Sequence, residues 1–208
     1  METVGAGDEL VTIVDEENNV LAEIRRYQMR AGWLPHRGSY ILVFNSKGEL
    51  YVHKRSLAKD VFPGYYDVVA GGVVLAGETY EESAVRELSE ELGISRVPLK
   101  RLFDFYYEDE HIRVWGTAFS CLYDGEIVLQ KEEIDEGTFM EMDHLLGLVQ
   151  SERFTPDGLY VLRRYLREVP LAAAGPGRLQ HRDSEDHCRR TAGRRPIHAA
   201  KKDHSTEG

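Results

Sequence analysis

Cysteine is almost missing from this chain: Cys121 and Cys188 are the only two in 208 residues. Their spacing makes neither a zinc knuckle nor a disulfide framework, and a reducing compartment is expected. No unbroken apolar run approaches the roughly 18 residues that a membrane-crossing helix requires. The opening METVGAGDELVTIVDEE carries acids where a secretory leader has a basic and then an apolar region, so a cytoplasmic protein is expected. Positive charge is also scarce. Against 36 Asp/Glu there are 26 Lys/Arg, a formal net charge of −10, which disfavours a surface that wraps nucleic acid and leaves room only for a local basic groove. Repeats and zinc-type His spacings are absent too; His36, His53, His111 and His144 are scattered and are expected to be structural or exposed.

What is present fits a globular domain. Hydrophobic residues make up 42% and charged residues 30%, a balance that builds one core. Composition changes near Pro170. Residues 171–208 hold eight Lys/Arg and five Asp/Glu with few large apolar side chains, leaving 18 basic and 31 acidic residues before them. Such a stretch buries too little apolar surface to offset the entropy of ordering it. The expected organisation is a globular domain over residues 1–170 and a disordered basic tail over 171–208. Within the domain, residues 10–14 and 20–25 flank DEENN as a hairpin, 39–45 and 49–54 flank SKG as a second, and 102–107 and 112–122 form a third pair around EDEH. Helices are expected over 79–92 and 159–167. Strands broken by few helices predict an α+β or sandwich-like arrangement.

The stretch GGVVLAGETYEESAVRELSEELGI, residues 71–94, carries the chemistry. Thr79 followed by Glu82 reads as a capping box, and Gly93 as a left-handed helix terminator. Ala84, Val85, Leu88 and Leu92 make an apolar stripe at helical spacing, while Glu87, Glu90 and Glu91 project from the remaining side. Like charges at this spacing repel by a few tenths of a kcal/mol. A hard divalent cation, Mg²⁺ or Mn²⁺, removes that repulsion: it prefers oxygen ligands and keeps waters that a phosphate can displace. Arg86 is placed to pair with Glu82 or Glu90, and Gly71 and Gly72 allow close backbone approach. Three glutamates on a helix ordinarily make a solvated face. The fixed spacing from Gly72 through Glu78 and Arg86 to Ile94, however, arises by chance on the order of once in a million chains of average composition.

That spacing resembles the Nudix box, GX5EX7REUXEEXGU with U aliphatic, at every position of residues 72–94. The resemblance implies the Nudix fold, an α/β/α sandwich with a mixed sheet and the box as loop-helix-loop. It also implies a hydrolase of acid anhydrides that uses Mg²⁺ or Mn²⁺ to cleave a nucleoside diphosphate linked to another group. By the same resemblance Glu87, Glu90 and Glu91 are metal ligands, with the Gly71 carbonyl as a further one. Glu90 or Glu87 then acts on the attacking water, and Arg86 holds a carboxylate in position. A glutamate after the box commonly reaches the metals in this family; in KEEIDEG the choice lies among Glu132, Glu133 and Glu136, with Glu133 favoured.

Residues 10–168 also resemble, more loosely, the isopentenyl-diphosphate-isomerase-like branch of the superfamily. True isomerases of this type carry a cysteine just before the box. None precedes Cys121 here, so isomerisation is disfavoured, and Cys121 in FSCLY is expected to be a packed strand residue. A diphosphate needs cationic partners, for which Arg37, Lys54, Arg55 and Lys59 are the candidates. Tyr65 and Tyr66 offer a ring for a base and a ring for the core. The expected partner is thus a small nucleoside diphosphate derivative. A binding module that does not cleave is disfavoured by the complete glutamate set, and an RNA 5′-end hydrolase would draw on the basic tail.

Overall fold

The N-terminal hairpin forms as the sequence predicts: β1 (Leu10–Val14) pairs antiparallel with β2 (Val20–Arg25). Asp15 closes its turn, with Oδ1 accepting from the backbone N–H groups of Glu17 and Asn19. The structure, a computed structural model, describes residues 6–168. The expected tail over 171–208, with Cys188, lies outside the described residues. A short helix, α1 (Arg26–Ala31), follows β2 without a sequence signal, since Met29 is its one buried residue.

The run HRGSYILVF is apolar at most positions, as a strand covered on both faces must be. It forms β3 (His36–Phe44), followed by β4 (Leu50–Arg55) and the two-residue β5 (Tyr66–Asp67). The second predicted hairpin is only half correct. The turn is present, but β3 and β4 pair at Phe44 and Leu50 and then separate. Both edges of β3 are engaged elsewhere. One side lies parallel to β7 (Arg113–Leu122) over nine residues. On the other side Ser39 and Ile41 donate backbone bonds to Gly72 and Ala70, in the segment leading into the box. The third predicted pair is correct: β6 (Lys100–Glu108) is antiparallel to β7. β4 instead pairs along β8 (Ile134–Met140), a strand the sequence did not announce.

The result is one mixed sheet with helices on both faces. β3 alternates between them: Ile41 and Val43 meet Ala84, Leu88 and Leu92 of α2 (Tyr80–Leu92). Tyr40 and Leu42 share a core with Leu145 of α3 (Met142–Leu148) and with Val161 and Leu162 of α4 (Pro156–Glu168). Leu88 and Leu92 are fully buried, each contributing roughly 1.5–3 kcal/mol by leaving water. The predicted apolar stripe needs one correction. Val85 is 51% exposed, and Ser83 and Glu91 are buried in its place. No helix among the described residues is long and apolar enough to cross a membrane.

Candidate active site

Both ends of α2 are fixed by local chemistry. Thr79 Oγ1 accepts from the Glu82 backbone N–H, and Glu82 Oε2 accepts from the Thr79 N–H at 2.8 Å. At the other end Gly93 adopts φ 67°, and the Ile94 N–H returns to the Leu88 carbonyl. This holds Arg86, Glu87, Glu90 and Glu91 in register with the loop that precedes the helix.

Arg86 organises that loop. Its guanidinium binds both oxygens of Glu78, at 2.7 and 3.0 Å, and reaches the Val73 carbonyl, so it ties the loop down onto the helix. It also donates to Glu87 (2.8 Å) and Glu90 (3.1 Å). The expected partner Glu82 is not among these, because the capping box has claimed it. Burial opposes the charge of Arg86, but Glu78 and Glu87 outweigh burial and raise its pKa further. In sequence, Glu78 marks only the spacing of the box; in space it is the residue that anchors Arg86.

Gly71 and Gly72 are required by close approach. Gly71 has φ 140°, a Cβ there would overlap the Ser39 carbonyl oxygen, and a Cβ on Gly72 would overlap the Glu87 carboxylate. The Gly71 N–H donates to Glu91 Oε2 at 3.1 Å. Glu91 is therefore buried, 4% exposed, rather than on the solvated side of the helix. Burial, and then the neighbouring Glu87, push its pKa up to about 7. Burial also raises Glu87, despite Arg86 beside it. Glu90 remains the open member of the three, with about half its side chain in solvent.

Lys59 faces this cluster from the loop after β4. Its ammonium pairs with Glu133 and lies 4.0 Å from Glu91. Glu133, just before β8, thus comes to the box side, whereas Glu132 and Glu136 are exposed. Arg55 lines the adjoining cleft, donating to the Val61 carbonyl and lying 3.6 Å from Asp67. Arg37 does not line it. It sits on the α2 side of the sheet, where it donates to the Asn18 side chain and carbonyl and lies over the Tyr80 ring. Lys54 lies over Tyr66, which packs on Phe154, and Tyr65 stacks on Phe62. His36 and His53 are buried. Cys121 packs in the α2-side core, its thiol pushed up by burial to about 11.

Several cleft residues had no sequence signal. Arg26 and Arg30, one helical turn apart on α1, line the cleft beside Lys59, paired with Glu9 and Asp60 respectively. Their i,i+4 spacing was the available hint. Asp67, Thr155 and Asp157 form its floor with Tyr40, whose hydroxyl donates to Asp157. Burial pushes Asp67 up to about 6, against the pull of Arg55.

The donor set fits a hard divalent cation: oxygen ligands only, from one helix face and a glycine backbone. Two of its carboxylates, Glu91 buried and Glu87 partly buried, have pKa values that burial raises. Among the described residues no three acidic, histidine or cysteine side chains close into a cation shell. Arg86 holds Glu87 and Glu90, and Lys59 holds Glu91 and Glu133.

Comparison with known proteins agrees with this geometry. The model of the NUDIX domain matches residues 34–165. An uncharacterized Nudix hydrolase of Yersinia pestis is 48% identical over 158 residues, which cover 76% of this chain and 86% of that protein. The uncharacterized Nudix hydrolase YfcD of Escherichia coli strain K12 is 43% identical over 162 residues, 78% of this chain and 89% of YfcD. The crystal structure of DR0079 from Deinococcus radiodurans superposes with a TM-score of 0.66 at 28% identity, covering 75% of this chain and 98% of that one. Nudix hydrolases act on nucleoside diphosphates linked to other groups and use divalent metals as a family. With the matched domain, the relatives that align over most of their length and the box on its helix, this chain belongs to the Nudix family of hydrolases.

Proposed function

We propose that the protein hydrolyses a diphosphate linkage in a nucleoside diphosphate derivative with Mg²⁺ or Mn²⁺. One observation carries the reading. Glu91, buried, and Glu87, partly buried, sit at the Gly71–Gly72 end of a cleft lined by Arg26, Arg30, Arg55 and Lys59 together with Asp60, Asp67 and Asp157. Glu87, Glu90 and Glu91, with the Gly71 carbonyl, are the groups that hold the ion. When bound, the ion supplies charge neutralisation at the phosphate oxygens and lowers the pKa of water. The chain itself does the rest. Arg86, anchored by Glu78, keeps Glu87 and Glu90 in position. Arg55 and Lys59 bind phosphate oxygens opposite the carboxylates. The proton released by the attacking water passes to a carboxylate at the edge of the site, for which Glu90 and Glu133 are the two in place.

The test is hydrolysis of a panel of nucleoside diphosphate conjugates with Mg²⁺, Mn²⁺ or EDTA, with products analysed in ¹⁸O water. Turnover that needs the ion and labels one phosphorus supports the reading. Turnover that is indifferent to EDTA, or none across the panel, overturns it.

A further inference from the structure

The guanidinium of Arg55 is held from two directions. Its Nε and Nη2 both donate to the Val61 carbonyl, at 3.3 and 3.0 Å, which ties one edge of the group to the loop after β4. Its Nη1 lies 3.6 Å from Asp67 Oδ2. A guanidinium carries more N–H groups than these restraints use, so the terminal nitrogens keep donors for the cleft that Arg55 lines. Its plane is set from behind while its free edge stays available.

Asp67 divides its two oxygens between two tasks. Oδ1 accepts from the backbone N–H groups of Val68 and Val69, at 2.8 and 3.2 Å, and so shapes the chain as it leaves β5. Oδ2 faces Arg55. The carboxyl is buried, and burial raises its pKa to about 6, with Arg55 the strongest pull in the other direction. The pair is therefore ionic at neutral pH. Taking two such charges out of water costs about what their attraction returns, so stability does not account for a charge here, and an asparagine would serve Val68 and Val69 as well. The start of α4 backs the carboxylate. Tyr66 donates to the Arg153 carbonyl and accepts from the Thr155 N–H, which pins that end of the helix against β5, and a Cβ on Gly158 would overlap Asp67 Oδ1. Glycine at this position lets the helix close on Asp67 and hold its rotamer.

We propose that Asp67 is a positioning residue, which aims the Arg55 guanidinium at the diphosphate and acts through it rather than on the substrate. The inference rests on the diphosphate-hydrolase reading above and adds what orients its phosphate-binding side. The test is a double-mutant cycle of Asp67→Asn and Arg55→Met, run on the conjugate and ion that the panel selects, with melting curves to show that each variant is folded. Asp67→Asn keeps the acceptor for Val68 and Val69 and removes only the charge. It should raise KM about ten-fold or more and leave kcat within about three-fold, because binding is lost alike in the ground and transition states. Arg55→Met should do at least as much. In the Arg55→Met background Asp67→Asn should add less than about two-fold. Equal factors in both backgrounds, or a loss confined to kcat, overturn the proposal.

A second readout needs no turnover. Exchange of the Arg55 Nε–H with water, followed by ¹⁵N NMR on the metal-free protein, should be about ten-fold faster in Asp67→Asn once one of its two restraints is gone. The Arg86 Nε–H, clamped by Glu78, should exchange as in wild type. Unchanged exchange at Arg55, or equal acceleration at both arginines, overturns the proposal. This measurement decides alone if Arg55→Met does not fold or if no conjugate is hydrolysed, and the latter result ends the hydrolase reading separately.

Discussion

Two opposing demands meet at Glu91. Its carboxylate is buried and pushed up in pKa by burial and by Glu87, yet it accepts the Gly71 N–H and lies 4.0 Å from the Lys59 ammonium. Glu91→Gln keeps an acceptor for Gly71 and removes a buried charge, so metal-free stability should change by no more than about 1 kcal/mol in chemical denaturation. Uptake of Mn²⁺ measured by calorimetry should be lost with hydrolysis; a variant that keeps full turnover with Mg²⁺ contradicts the assignment of Glu91. Lys59 bears the complementary role. It stands between Glu91 and Glu133 with its own pKa lowered, chiefly by burial. Lys59→Met leaves those carboxylates facing each other without a cation and should cost the metal-free protein about 3 kcal/mol. Millimolar Mg²⁺ should then raise the melting temperature of the variant more than that of the wild type. Equal gains would mean that Lys59 and the divalent ion do not share Glu91.

Helix α2 shows what an element needs in order to be legible. Both of its ends are written locally, in the Thr79–Glu82 box and in Gly93, and the sequence places its limits correctly. Replacing Thr79 with Ala removes the acceptor for the Glu82 N–H and should destabilise the protein by about 1 kcal/mol, read from the urea midpoint at unchanged m-value. A loss of activity beyond that expected from unfolding would show that the cap also holds the glutamates in register. Elements shaped by distant partners were not legible. β8 carries Asp135 and Glu136 and is mostly exposed, so it shows no alternation, and it exists because β4 offers it an edge. α1 buries only Met29. The 39–54 hairpin opens after one pair because β7 and the box segment take the edges of β3. Arg86 is the same case at the level of one side chain. Its i,i+4 partner Glu90 can be read from spacing, whereas its bidentate partner Glu78 lies across the loop and cannot.

Across the whole molecule, the box side of the cleft is one contiguous segment and the opposite side is assembled from three. Arg26 and Arg30 come from the N-terminal helix, Arg55 and Lys59 from the centre, and Thr155 and Asp157 from the start of α4. A motif reveals the first half, and only the closed fold reveals the second. The same burial governs how stability responds to pH. His53 lies fully within the protein between register partners Asp67 on β5 and Gly137 on β8, and its Nδ1 has no hydrogen-bond partner among the described residues. Burial, then the charges of Arg55 and Lys59, lower its pKa to about 3. Unfolded, the ring takes a proton near pH 6.5. Below that pH the unfolded chain therefore binds a proton that the folded protein refuses. Its contribution to stability is complete above 6.5 and falls by about 1.4 kcal/mol per pH unit toward pH 3. His36, lowered to about 3 by burial and then by Arg30, acts with the same sign. Asp67, raised to about 6, acts with the opposite sign, since its folded form holds a proton that the unfolded chain has released. The net curve mixes these groups, so the measurement is a difference. Between pH 6 and 4, His53→Leu should lose stability less steeply than wild type by about 1.4 kcal/mol per pH unit, in urea titrations at each pH. Parallel curves would mean that His53 already carries its proton in the folded protein, and that burial does not control its charge.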